Sequence, residues 1–437
     1  MNHGKPIKQS RVFPKDASLE HAFRAVKVLS ACSTMIFSEP MSNVSHPRPS
    51  LLDALSAILP TLEETLLLRA CLYSGESARQ AWEEWQSHRN EFRNGFIGYN
   101  GSLKKVGLLV FNALRFHGLE LDKENQTFLR LAYLKEELRS KIFRRICRDV
   151  LLLLANEGIP TIVLKGTALA ETVYDNPVFR HCHDIDILIG DEDMSRAASL
   201  LPALGFSAVK GRPEPESYHL RLEHESGLPL ELHTQLFQIP YHNTLLTEMS
   251  KRSHNELIVG VPARTLAASD ALLHVCGHAF YSEKRESLRW VTDAWFLIDR
   301  RRDLDWDLLL ECTRRTRLLL PLSVTFGYLA ESLNAAIPST FLTRLLDAAA
   351  RTNASQREFA LFGARFAPGG GFRNLIGKAT GWRGRAFVIQ WMLFPSPTYL
   401  LWVQQIQRLW LLPFHYVSRP LRYIARHIRF ILVFFLI

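Results

Sequence analysis

The chain is poor in cysteine. Six residues, Cys32, Cys71, Cys147, Cys182, Cys276 and Cys312, are scattered over 437 positions with no C-x-x-C pair, which excludes a disulfide framework or a zinc ribbon as the organising device. A reducing cytoplasm is the expected compartment. The opening MNHGKPIKQSRVFPKDASLEHAF lacks the apolar core of a secretory signal, so export by that route is not expected. Long apolar runs are also missing. The uncharged stretch between Arg385 and Arg408 is nearly long enough to span a bilayer, but Pro395 and Pro397 break it and Gln404, Gln405 and Gln407 crowd its end,. Internal repeats and low-complexity segments are absent.

Acidic residues are missing from the last part of the chain. After Glu358 there is none, whereas Arg365, Arg373, Lys378, Arg383, Arg385, Arg408, Arg419, Arg422, Arg426 and Arg429 are basic; these ten equal the formal surplus of +10. The body is therefore neutral and the tail cationic. Such a tail suits a polyanion, yet this one is interleaved with Trp382, Trp391, Trp402, Trp410, Tyr416 and Tyr423 and ends in RFILVFFLI. Arginine with tryptophan and aliphatic runs is the composition of a helix lying in a membrane interface. It is equally that of buried helices in a C-terminal domain. Attachment to the membrane surface is expected ahead of spanning, which makes the chain cytoplasmic or peripheral at the inner membrane, and nucleic acid is not an expected partner.

A hydrophobic content of 47% is enough to bury the cores of two or three domains,. Residues 1–50 read as an extension ending in a Pro/Ser-rich linker. Residues 51–157 carry helical spacing throughout, as in LKEELRSKIFRRICRDVLLLLANEG, and form a helical N-terminal domain. At Gly158 the texture changes: IPTIVLKG and DIDILIG are strand-like, DEDMSRAASLLPALGF is a helix closed by Gly205, and YHLRLEHESGLPLELHTQLF is a hairpin about Ser-Gly,. Residues 158–240 are thus an α/β core, 241–358 a helical C-terminal domain and 359–437 a basic, aromatic, helical tail. The expected class is α+β, a small mixed sheet flanked by helical domains.

Within the core, the i, i+2 spacing of DID puts Asp184 and Asp186 on one side of a strand while Ile185 and Ile187 enter the interior. Adjacent carboxylates repel unless a cation lies between them, and Mg²⁺, with Mn²⁺ as its substitute, is the usual oxygen-liganded choice. In LPLELHTQ, Leu230 and Leu232 share one face and leave Glu231 and His233 on the other, so a third carboxylate converges if this strand lies beside DIDIL. The Lys165-Gly166-Thr167 turn admits a phosphate near backbone N–H groups and adds a charge and a hydroxyl. Such a set suits phosphoryl or nucleotidyl transfer. Bland readings exist beside it: strand-end charges for the acids, a structural ion pair for Lys165, a helix cap for Thr167.

The order of these motifs resembles the DNA polymerase β-like nucleotidyltransferase superfamily, and GIPTIVLKGTALAETVY, R.CHDIDILI, LLPALGF, LELH and LRWVTDAW resemble the uncharacterised bacterial nucleotidyltransferase family with LKG and DID motifs. The resemblance is dense over residues 150–300. It implies that Asp184, Asp186 and Glu231 are the catalytic metal ligands, with Lys165, Gly166 and Thr167 binding the nucleotide. Seventeen residues separate Gly166 from Asp184, longer than the superfamily's basic pattern. The implied reaction is Mg²⁺-dependent transfer of a nucleoside monophosphate from a nucleoside triphosphate to an unnamed small-molecule, sugar or protein acceptor, with release of pyrophosphate. An inactive nucleotide- or partner-binding module of the same fold, or another phosphotransferase, are the alternatives.

The histidines offer less. On an extended segment His181 and His183 share a face opposite Cys182, which makes a three-ligand zinc site improbable. Asp270, His274 and His278 share a helical face, where packing or capping is the expected role. Arg289 and Asp293 are spaced as a structural i, i+4 ion pair.

Overall fold

A capping box starts the helix Leu62–Leu72: Glu64 N–H donates to Thr61 Oγ1 at 3.2 Å and Thr61 N–H to Glu64 Oε2 at 2.9 Å,. The computed structural model describes residues 55–88, 106–208, 219–281, 288–364, 375–377, 379, 381–404, 406 and 408–422. The expected N-terminal extension, the glycine-rich break near residue 370 and the RFILVFFLI terminus lie outside them. Helices α1 (Leu62–Leu72), α2 (Gly75–His88), α3 (Gly107–His117) and the 34-residue α4 (Lys123–Asn156) occupy the N-terminal part. On the second half of α4, Phe143, Ile146, Cys147, Val150, Leu151 and Leu154 recur at three- and four-residue steps and are buried. That stripe is what the sheet packs on.

The core elements follow in the order β1 (Ile162–Val163), α5 (Lys165–Thr172), β2 (Ile185–Leu188), α6 (Met194–Leu200), β3 (Phe206–Ala208), β4 (His219–His224), β5 (Pro229–His233), α7 (Leu246–Arg252), β6 (His254–Ile258) and β7 (Val261–Thr265). They build one seven-stranded mixed sheet, ordered β3-β4-β5-β2-β1-β7-β6. β2 runs parallel to β5 and β1 parallel to β7, and the remaining pairs are antiparallel. Ile185, Ile187, Leu230 and Leu232 point to one face, where they share a cluster with the α4 stripe and Ala197 of α6. Burying each such side chain contributes about 1.5–3 kcal/mol. The alternation then obliges Asp186, Glu231 and His233 to lie on the opposite face.

The sheet extends past residue 240. β6 and β7 belong to the core sheet although they fall in the stretch read as helical, and β7 is the parallel neighbour of β1. Their turn uses Val259 and Gly260, with φ of 46° and 82°, a left-handed pair that hairpins usually build from Asn-Gly. The helices that follow are α8 (Ala268–Tyr281), α9 (Arg289–Arg300), α10 (Trp306–Arg315), α11 (Leu319–Leu333), α12 (Ser339–Ala350), α13 (Ala354–Ala364), α14 (Gly381–Leu393) and α15 (Pro397–Val403).

The helical flanks are continuous with one another. Leu66, Leu67, Val110, Leu272, Val291 and Phe326 belong to a single buried cluster that also takes Ile162 and Leu188 from the sheet. Across it Thr65 Oγ1 meets Tyr328 Oη at 2.8 Å and Arg69 Nε donates to the Ser332 carbonyl at 2.7 Å. α14 and α15 meet the buried-helix reading of the tail, since Val388, Trp391, Tyr399 and Leu400 enter the same core. Glu358, the last acid of the chain, accepts the Ser396 N–H at 2.8 Å and 3.0 Å and fixes α13 to the start of α15. Among the described residues no single helix is long and apolar enough to cross a membrane; Gly384–Leu393 and Pro397–Val403 pass only as a pair bent by 50°.

Candidate active site

β1 ends where the site begins. The Leu164 N–H donates to the Asp186 carbonyl at 3.0 Å, which locks the end of β1 beside β2. The next residue, Lys165, opens α5 with φ of 47°, a left-handed backbone that costs roughly 1–2 kcal/mol for a residue with a Cβ. Its Nζ lies 2.8 Å from Asp186 Oδ1. Non-glycine strain of this kind concentrates at functional positions.

Parallel pairing of β2 with β5 sets Asp186 directly beside Glu231. His233, two residues on, brings Nε2 within 2.8 Å of the same Asp186 oxygen and within 3.7 Å of Glu231 Oε2. One ligand atom each from Asp186, Glu231 and His233 falls within 4.8 Å of the others, and no other such trio of His, Cys, Asp or Glu occurs among the described residues. Arg221 on β4 approaches Glu231 at 3.5 Å. The His219 ring stacks on His233 with centroids 5.7 Å apart.

The electrostatics follow from this crowding. Asp186 is 3% exposed; burial alone would raise its pKa, but Lys165 and His233 outweigh it and hold the carboxyl far below the usual range,. Burial pulls the Lys165 ammonium down, while Asp186, Asp184 and Glu231 pull it up more strongly, for a net rise. The pair is therefore charged at any neutral pH.

Asp184 sits just ahead of β2 and turns its Oδ1 to His183 Nδ1 at 2.7 Å. It acts on Lys165 through its charge and stands outside the Asp186–Glu231–His233 trio. Gly166 lies in the first turn of α5, where an added Cβ would come 3.1 Å from the Arg180 guanidinium. Thr167 is inside the helix and buried, so it is no cap; its Oγ1 has no hydrogen-bond partner among the described residues. The residue that sequence reasoning left without a role is His233. The signal for it was present, because i, i+2 spacing on β5 puts it on the Glu231 face.

A second buried network explains two further motifs. Arg180 Nε and Nη2 donate to Asp293 Oδ1 and Oδ2 at 2.7 Å and 2.9 Å, and Tyr174 Oη donates to Asp293 Oδ1 at 2.8 Å. Burial would lower the Arg180 pKa, but Asp293 drives it well above its usual value. The R.CHDID and LRWVTDAW segments thus meet face to face, with Gly166 leaving room for the guanidinium between them. His181 Nδ1 lies 2.8 Å from Glu136 Oε2 on α4, so the residues flanking Cys182 serve the approach to β2. Asp270 pairs with Arg252 at 2.9 Å and 2.7 Å, and buried His274 faces the Leu236 carbonyl at 3.1 Å. The packing reading holds for that helical face.

The donor set fits a divalent ion: two carboxylates with hard oxygens and one imidazole nitrogen on a single sheet face. The imidazole nitrogen is a softer donor than carboxylate oxygen and suits a transition metal better than Mg²⁺. Residues 103–334, just over half of the chain, match the family described as uncharacterised nucleotidyltransferase. No curated protein matches the chain.

Proposed function

The chain belongs to the uncharacterised nucleotidyltransferase family, and from that premise we propose that it moves a nucleoside monophosphate from a nucleoside triphosphate to an acceptor hydroxyl, releasing pyrophosphate. The observation that carries this reading is the side-by-side placement of Asp186 and Glu231 on parallel strands, facing Lys165 at a strand-to-helix turn.

Asp186, Glu231 and His233 would hold the divalent ion, with the Asp184 charge beside them. When bound, Mg²⁺ or Mn²⁺ supplies charge neutralisation at the phosphate oxygens and at the departing pyrophosphate. Lys165 carries the positive charge that attracts the triphosphate, and the first turn of α5 offers N–H groups to its oxygens. Glu231, less buried than Asp186, would take the acceptor's proton. A cleft lined by Lys165, Thr265, His274 and Arg301 adjoins this turn.

The test is product analysis on the purified protein with each of the four nucleoside triphosphates, Mn²⁺ or Mg²⁺ and cell extract. Nucleotidyl transfer releases pyrophosphate and adds a nucleoside monophosphate mass to the acceptor. A nucleoside diphosphate product instead identifies a kinase, and triphosphate binding without turnover identifies a binding module.

A further inference from the structure

Residues 409–411 form a 3₁₀ turn, and the chain is helical from 412 to 422. On this segment Leu409, Trp410, Phe414, Val417 and Leu421 are between 62% and 70% exposed. Positions 410, 414, 417 and 421 follow the three- and four-residue steps of one helical face. The opposite side is anchored: Arg419 Nε donates to the Met392 carbonyl at 2.8 Å, and Tyr416 Oη to the Pro395 carbonyl at 2.7 Å. The helix is thus held against α14 and the α14–α15 bend with its large apolar side chains turned outward. Trp382 on α14 is exposed as well.

Charge selects the occupant. The chain carries no acid after Glu358, and Glu358 itself is buried against Ser396. Arg408 and Arg422 bracket the apolar face, with no carboxylate on the segment to answer them. A second copy of the same face would be met by like charge. A nucleic acid would satisfy the arginines but leave two aromatic and three aliphatic side chains in water. An anionic bilayer surface satisfies both, because the apolar face enters the acyl boundary while guanidinium groups stay among the headgroups.

We propose that residues 409–422 seat this chain on an anionic membrane surface, lying in the interface without crossing it. The full-length protein is floated with vesicles of phosphatidylcholine alone and of phosphatidylcholine mixed with phosphatidylglycerol. Binding to the mixed vesicles is expected to be roughly tenfold stronger, and to weaken in high salt. Trp410→Ser combined with Phe414→Ser removes exposed side chains only, so its thermal melt should match the parent while flotation is lost. Equal binding to both vesicle types, no binding at all, or a double variant that floats as well as the parent overturns the proposal. So does a concentration-dependent dimer, measured without lipid by analytical ultracentrifugation, that the double variant abolishes.

Discussion

Lys165 Nζ stands 2.8 Å from the Asp186 oxygen that also faces His233 Nε2, so the cation proposed to meet the triphosphate is at the same time the counter-ion of the candidate metal cluster. A metal ion arriving alone has to compete with that ammonium for Asp186. Lys165→Met should therefore tighten Mn²⁺ binding in the absence of nucleotide by ~10-fold, about 1.4 kcal/mol, and weaken triphosphate binding. Calorimetric titration of each ligand separately checks both signs. Weaker Mn²⁺ binding in the variant would mean that Lys165 supports the cluster rather than competing for it.

The acids should not be equivalent. Asp186 is the partner shared by Lys165 and His233, so Asp186→Asn should reduce metal-dependent transfer by ~100-fold or more and also lower stability by about 3–5 kcal/mol, since it breaks a buried ion pair. Glu231→Gln should lower turnover more than triphosphate binding. Asp184→Asn should weaken metal binding least of the three. Urea melts beside Mn²⁺ titrations separate the structural from the ligand effect; three variants with unchanged metal affinity would remove the cluster from the reaction.

His233 gives a prediction about metal choice. His233→Asp replaces the imidazole by a third carboxylate and should move the preference from Mn²⁺ toward Mg²⁺, read as the ratio of the two dissociation constants. His274→Ala, on the face packed against Leu236, should leave that ratio unchanged. A shift in the second variant and none in the first would reverse the assignment.

The pH profile of stability should carry the mark of His242. This buried ring sits with Nδ1 2.8 Å from the Thr316 carbonyl, and burial lowers its pKa from 6.5 to about 4. The folded protein therefore resists protonation that the unfolded chain accepts. Its contribution is complete above pH 6.5 and declines as pH falls toward 4, by about 3 kcal/mol in all,. Denaturation midpoints across that window should drop in the parent and drop less in His242→Asn.

The strands nearest the chemistry were legible because they obey simple alternation: DIDIL and PLELH each put carboxylate on one face and Ile or Leu on the other. β6 and β7 were not, because HNELIVGVPART lies between helical stretches and turns on Val259-Gly260, with none of the usual hairpin residues. The pairing of Lys165 with Asp186 needs β1 antiparallel to β2, a tertiary fact that no local pattern encodes. Arg180 and Asp293 stand 113 positions apart, so the meaning of the two motifs that contain them appears only when they touch. Asp293, four residues after Arg289 on α9, gives both carboxylate oxygens to Arg180 from a distant part of the chain.

The bond between Thr65 and Tyr328 closes a loop of 263 positions, and β1 waits about a hundred residues for β7 to pair beside it. During synthesis the first helices leave the ribosome long before their partners exist, with Leu66, Leu67 and Leu68 still uncovered. Closure over such separations carries an entropic cost and slows folding. The helix Leu62–Leu72 therefore completes its packing only once α11 has been made,.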